Sequence, residues 1–359
     1  MSISLAEQRA GDDLRMRGNV LLRPGAIELR DIPRPRPDRD GVVVRVRAAL
    51  TCGTDLKTYL RGHPKFPTPI LLGHEFSGEL AEVGADVRGL REGDAIMAVP
   101  TAPCGACYFC DRDQENLCEQ VMEHFVLGAF AEYVKLPAAI VRTNLFPKPR
   151  SLPFTEAALL EPLSCVLHGL SQVQLRPDDS VVLIGAGAIA LLHLLVLRSR
   201  GVERVVVVAR SAARAAQARA LGAWAVLTVE AAAALPAVAA LTAGRGADIV
   251  VECTGQVGVW EVAPQLARRG GQVVLFGGCA AGTAVRFDAA RLHYDQVNLT
   301  SPFHFAPRDV RASYELLSSG RFGGQALIAG EYPLERLEEA LARHRRGDGA
   351  KFAIVPAVA

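Results

Sequence analysis

The passage from residue 180 to 199 restricts the fold more than any other part of the chain. Val181-Val182-Leu183-Ile184 is an unbroken apolar run, as expected of a strand buried on both faces of a parallel sheet. Gly185-Ala186-Gly187-Ala188-Ile189-Ala190 follows at once, and an apolar helical stretch continues to about Ser199. A G-x-G-x-x-A run between a strand and a helix is the context in which such glycines bind a dinucleotide. Gly185 allows the tight turn, Gly187 lets the backbone approach a pyrophosphate, and Ala190 stands where a small residue packs helix on strand. Free N–H groups at the helix start, over Ala188 and Ile189, would hold the phosphates.

A second strand, 204–209, ends near 20 residues past the glycines, where an acidic residue would accept from a ribose 2′-hydroxyl and mark NAD. Ala209 stands there instead. Arg210 and Arg214 could pair with a 2′-phosphate, and Ser211 could donate to it, which favours NADP over NAD. The chain uses Arg freely elsewhere, so ordinary surface arginines are the competing reading. Two further strands, 247–252 and 271–276, run into Cys253-Thr254-Gly255 and Gly277-Gly278. Loops at the carboxyl ends of such strands lie beside the nicotinamide, which places Thr254 and Gly277 in the cofactor set.

The first 150 residues have another texture. Short β-like runs at 19–22, 26–30 and 42–49 are broken by Pro and Gly, an all-β pattern that suggests a distorted barrel. Within it lies Cys104-x2-Cys107-x2-Cys110-x7-Cys118. Four thiolates that close together can wrap one zinc in a closed structural site. An iron–sulfur cluster fits less well, because the last gap is seven residues and no Pro follows Cys118.

A second possible metal set is dispersed. Cys52, His74 and a carboxylate supply one sulfur, one nitrogen and one oxygen, which suits a zinc ion with a position left open for chemistry. Two carboxylates compete, Glu75 beside His74 and Glu161 within an apolar run. Glu161 precedes Pro162, where a helix from residue 151 should kink or break, and a carboxylate buried there needs a partner. Thr54, just before a short helix expected over 55–60, is either a helix cap or a hydroxyl that relays a proton. Lys57 follows one turn later.

Together these motifs resemble the zinc-dependent medium-chain dehydrogenases, in the branch holding polyol (sorbitol) and threonine dehydrogenases. The matching residues are Cys52-Gly53-Thr54-Asp55, the glycine-flanked His74-Glu75, Gly93-Asp94, the four-Cys lobe, Glu161-Pro162-Leu163 and Gly185-Ala186-Gly187. The resemblance implies an α/β protein: a GroES-like β-barrel catalytic domain over 17–165 and 305–359, and a Rossmann doubly wound parallel sheet over 166–304. It implies catalytic zinc on Cys52 and His74 with Glu75 or Glu161, and a proton relay starting at Thr54. The implied reaction is hydride transfer between a secondary alcohol, polyol or sugar derivative and NADP, with NAD possible.

Composition agrees with a soluble enzyme. At 359 residues two domains are expected, and a net charge of +2 offers no basic stripe for nucleic acid. Eight cysteines, half at metal spacing, favour a reducing compartment. With no apolar leader and no membrane-length run, the cytoplasm is the expected location, and the first 16 or so residues are expected to be a loose tail. The resemblance implies a homo-oligomer, a dimer or tetramer. Two rivals remain: a threonine-type amino-alcohol dehydrogenase using NAD, and a non-catalytic nucleotide-binding scaffold with structural zinc only.

Overall fold

A computed structural model describes residues 14–357. The expected tail therefore lies outside the described residues as far as residue 13. Residues 15 and 16 belong to a strand instead. Arg15–Arg23 pairs antiparallel with Ala26–Pro33, and Met16, opposite Ile32, is buried in a small apolar cluster with Val20 and Ala131. Burying the Met16 side chain extends the strand beyond the apolar run legible at 19–22.

The chain divides into two compact units. One runs to Ser164 and resumes at Phe305; the other is Cys165–His304. The first is built on a seven-stranded sheet centred on Val42–Leu50. That strand pairs antiparallel with Glu75–Val83, Tyr133–Leu136 and Lys351–Ile354. Register shifts after Val43 and Val46 bend it, so it can serve three neighbours along its length. Its burial is nearly continuous. The two less buried positions, Arg45 and Arg47, both bond to Glu79.

This pairing delivers distant residues to one place. Leu50 faces both Glu75 and Ala353, so the chain just past residue 50, the His74-Glu75 pair and Lys351 all reach the same end of the sheet. Thr51 completes the joint: its N–H donates to Phe352 O at 3.0 Å, and its Oγ1 accepts from Phe352 N at 3.1 Å.

The helix expected from residue 151 begins later and breaks earlier. Pro153 caps a short helix, Phe154–Ala157, and a second helix runs Leu160–Ser171. Glu161 and Pro162 therefore sit in a first turn, where Pro lacks only an N–H that has no helical partner. A carboxylate there also faces the positive end of the helix dipole.

In the second unit six parallel strands stand in the order Ala225–Leu227, Arg204–Val208, Ser180–Ile184, Ala247–Glu252, Ala267–Leu275, Asn298–Thr300. Counted along the chain that order is 3-2-1-4-5-6, the dinucleotide-binding arrangement. The order reverses between Ser180–Ile184 and Ala247–Glu252, and Val182, Val206, Val250 and Val273 meet in the core under it.

Candidate functional site

Cys52 caps the helix Gly53–Arg61 with its sulfur. Sγ accepts from Thr54 N at 3.5 Å, and the Asp55 carboxylate accepts from Cys52 N at 3.2 Å. The cap role considered for Thr54 thus falls to Cys52 and Asp55, and Thr54 is exposed on the first turn. Lys57 is exposed too.

Asp55 does more than cap. It is 1% exposed, and its Oδ1 accepts from Gly73 N and from His74 Nδ1, each at 3.2 Å. A carboxylate on Nδ1 fixes the imidazole tautomer and turns Nε2 toward an ion. Ligand atoms of Cys52, His74 and Glu75 all lie within 4.8 Å of one another. That set of sulfur, nitrogen and oxygen fits zinc by its chemistry. Glu161 is buried nearby but does not lie within that distance of all three.

The sequence reading missed the main counter-charge. Lys351, 1% exposed, places its ammonium on both carboxylate oxygens of Glu75, which is fully buried. Burial alone would lower the proton affinity of Lys351. The negative charges of Glu75, Cys52 and Glu161 outweigh it and hold the ammonium well protonated. Glu75 and Lys351 are 276 residues apart, and no local pattern could have joined them.

The four-Cys lobe is compact. Cys107 and Cys110 sulfurs are 3.6 Å apart, Cys104 and Cys110 sulfurs 3.9 Å, and Cys118 Sγ accepts from Cys104 N at 3.3 Å. Four thiolates about 2.3 Å from a common tetrahedral centre would stand roughly 3.8 Å apart, so the cluster fits one ion. Amide N–H groups of Cys110 and Glu119 pull the Cys107 thiol down to about 6.

In the second unit Gly187 caps the helix Ala188–Ser199 without any side-chain bond, and a Cβ placed on it would meet nothing within 4 Å. That open cradle at a helix N-terminus fits a pyrophosphate. Gly185 has φ +108°, a conformation that glycine tolerates, and an added Cβ would come within 3.2 Å of the Thr254 methyl. Ala209 is buried at the end of its strand, while Arg210 and Ser211 are exposed. Ser211 Oγ accepts from Arg214 N at 3.4 Å as a helix cap. Burial and the charge of Arg210 hold the Arg214 guanidinium below its usual range.

Comparison with known proteins settles the family. Residues 38–149 match the alcohol dehydrogenase GroES-like domain, and 188–319 match the zinc-binding dehydrogenase domain. L-threonine 3-dehydrogenase of Bacillus licheniformis is 30% identical over 351 residues, 93% of this chain and 96% of that one. The chain belongs to the zinc-dependent medium-chain alcohol dehydrogenases. Sorbitol dehydrogenase of Bacillus subtilis is 28% identical over 337 residues, covering 91% of this dehydrogenase and 93% of its own length. A zinc-binding dehydrogenase from Sinorhizobium meliloti, solved bound to NADP, superposes with a TM-score of 0.87 at 28% identity, over 96% of this chain and all of that one. This dehydrogenase is therefore an oxidoreductase of the alcohol and polyol type, with a GroES-like domain, a Rossmann domain, zinc and a nicotinamide cofactor. The non-catalytic scaffold falls away. No helix among the described residues is long and apolar enough to cross a membrane.

Proposed function

We propose that this enzyme oxidises a secondary alcohol of the polyol or sugar-derivative class, with NADP preferred as hydride acceptor. The cluster of Cys52, His74 and Glu75 within 4.8 Å carries the reading. When bound there, zinc supplies Lewis acidity that polarises the substrate hydroxyl. Cys52 and His74 hold the ion, Asp55 keeps His74 in the ligating tautomer, and one of Glu75 and Glu161 completes the set. Because Lys351 already occupies both oxygens of Glu75, Glu161 is our choice for the further ligand, direct or through water. Thr54, exposed on the first turn beside Cys52, takes up the hydroxyl proton and passes it to solvent.

Gly185, Gly187, Ala188, Ile189 and Ala190 hold the pyrophosphate, with Thr254 and Gly277 toward the nicotinamide. NADP preference rests on Ala209 in place of an acid and on the adjacent cations Arg210 and Arg214. The NADP-bound relative supports it. Cys104, Cys107, Cys110 and Cys118 hold a second zinc that stabilises the lobe. An amino-alcohol substrate with NAD stays as the second reading, because a threonine dehydrogenase is among the relatives.

The test is a panel of initial rates. Polyols, sugar alcohol phosphates, simple secondary alcohols and threonine are each offered with NADP and NAD, with and without a zinc chelator. Chelator-sensitive oxidation of a polyol, faster with NADP, supports the proposal. Turnover confined to threonine with NAD replaces it with the second reading.

A further inference from the structure

Glu252 ends the strand Ala247–Glu252 at the point where the sheet order reverses, opposite Ile184 and one residue short of the Gly185 turn. It is completely buried, and it organises two turns at once. Its carbonyl accepts from Phe276 N and Gly277 N, each at 3.0 Å. Its carboxylate accepts from Thr254 N at 2.6 Å, from Thr254 Oγ1, and from Gly255 N at 3.2 Å. Trp260 Nε1 donates to Gly277 O at 2.8 Å and ties the second turn down. The turns touch through backbone: a Cβ on Gly277 would lie 2.3 Å from Gly255 N and 2.9 Å from Glu252 Oε2.

Every group bonded to this carboxylate is a neutral N–H or O–H, and among the described residues no lysine or arginine forms an ion pair with it. A glutamine would accept most of the same bonds. A buried charge without a counter-ion costs far more than a buried amide. A cation that arrives later would offset that cost. Ligands of an open α/β sheet lie outside the carboxyl ends of the strands at the order reversal, and the nicotinamide ring carries a positive charge only in the oxidised cofactor.

We propose that Glu252 supplies the missing counter-charge: it is a positioning residue for the two cofactor turns, and its negative charge favours binding of the oxidised, cationic nicotinamide over the reduced, neutral one. This rests on the cofactor reading above. The neighbouring titratable group, Cys253, has its thiol raised by burial and by Glu252 itself, and stays neutral.

The test uses the zinc-loaded enzyme and its Glu252→Gln variant. Dissociation constants for NADP+ are read from tryptophan quenching and those for NADPH from cofactor fluorescence. Glu252→Gln should weaken NADP+ binding relative to NADPH by about fivefold or more, the scale of one unit charge at protein-like permittivity. A ratio unchanged in a variant that binds both forms reduces Glu252 to a structural clamp and overturns the proposal. If the variant does not fold, the same ratio is followed on the unmodified enzyme across the pH interval in which infrared difference spectra show a buried carboxyl taking up its proton. Protonation of the carboxylate, whose proton affinity burial raises, must then move the ratio toward NADPH. A flat ratio overturns the proposal there too. An unmodified enzyme that binds neither form would instead sink the cofactor reading.

Discussion

His193 gives the enzyme a defined acid weakness. It lies on the helix Ala188–Ser199, fully buried, with its ring edge-on to Phe276 at a centroid distance of 5.0 Å. Its Nδ1–H donates to Ile189 O at 2.9 Å, and its Nε2 has no partner, so a second proton there would be a buried, unpaired charge and the ring is held neutral. Burial drives the imidazole down to about 4, against a small upward pull from the Ile189 carbonyl. The unfolded chain protonates His193 near 6.5 and the folded chain near 4, so stability is full above the unfolded value and lost as pH falls between the two. The gap between the two amounts to roughly 3 kcal/mol once pH is well below 4. At pH 5 the loss is already about 2 kcal/mol relative to pH 7. His193→Leu removes both the titration and the unpaired nitrogen. Urea unfolding of the enzyme and the variant, at both pH values, checks this. Trp224 and Trp260 both lie in the unit that carries His193, so tryptophan fluorescence reports on the relevant unit. The variant's stability advantage should grow by about 2 kcal/mol from pH 7 to pH 5. An advantage that stays constant within about 0.5 kcal/mol would show that His193 is not buried neutral, and the reasoning fails.

Three further outcomes are expected. Cys107→Ala should lower bound zinc from two ions per chain to one and reduce the melting temperature by several degrees, as metal analysis and thermal scans will show. Lys351→Met should destabilise the metal-depleted protein by roughly 3–5 kcal/mol, because Glu75 is left buried without its cation; adding Glu75→Gln should recover much of that loss in urea unfolding. Arg210→Ala with Arg214→Ala should raise KM for NADP by about tenfold or more while leaving KM for NAD unchanged, since two charge-assisted contacts to a 2′-phosphate are removed.

What the sequence made legible follows the range of the forces involved. The strand–glycine–helix passage at 181–199 is a local pattern, and local sterics fix it: glycine is the residue that tolerates φ +108° at Gly185, and the lack of a side chain leaves Gly187 open. The four-Cys lobe is equally local. The charge balance of the metal centre is not. Glu75 could be singled out because it adjoins His74, but whether it is free to ligate depends on Lys351, which arrives through a strand pairing between Ala353 and Leu50. Asp55 was inside the quoted motif, yet its bond to His74 depends on how the Gly53–Arg61 helix docks.

Glu252 and His193 share the harder lesson. Each sits in a run that reads as ordinary apolar core, Val250-Val251-Glu252 and Leu191-Leu192-His193-Leu194, and each is an ionisable side chain that burial penalises. The sequence marks them only as interruptions. Their placement separates them: Glu252 meets five donors at the reversal of the sheet, three on its carboxylate and two on its carbonyl. His193 meets one carbonyl and an aromatic edge. On the proposal above Glu252 is held for what its charge does, while the orphaned nitrogen of His193 costs stability. The two variants should therefore show in different readouts, His193→Leu in greater stability in acid and Glu252→Gln in a changed cofactor balance at little cost to the fold.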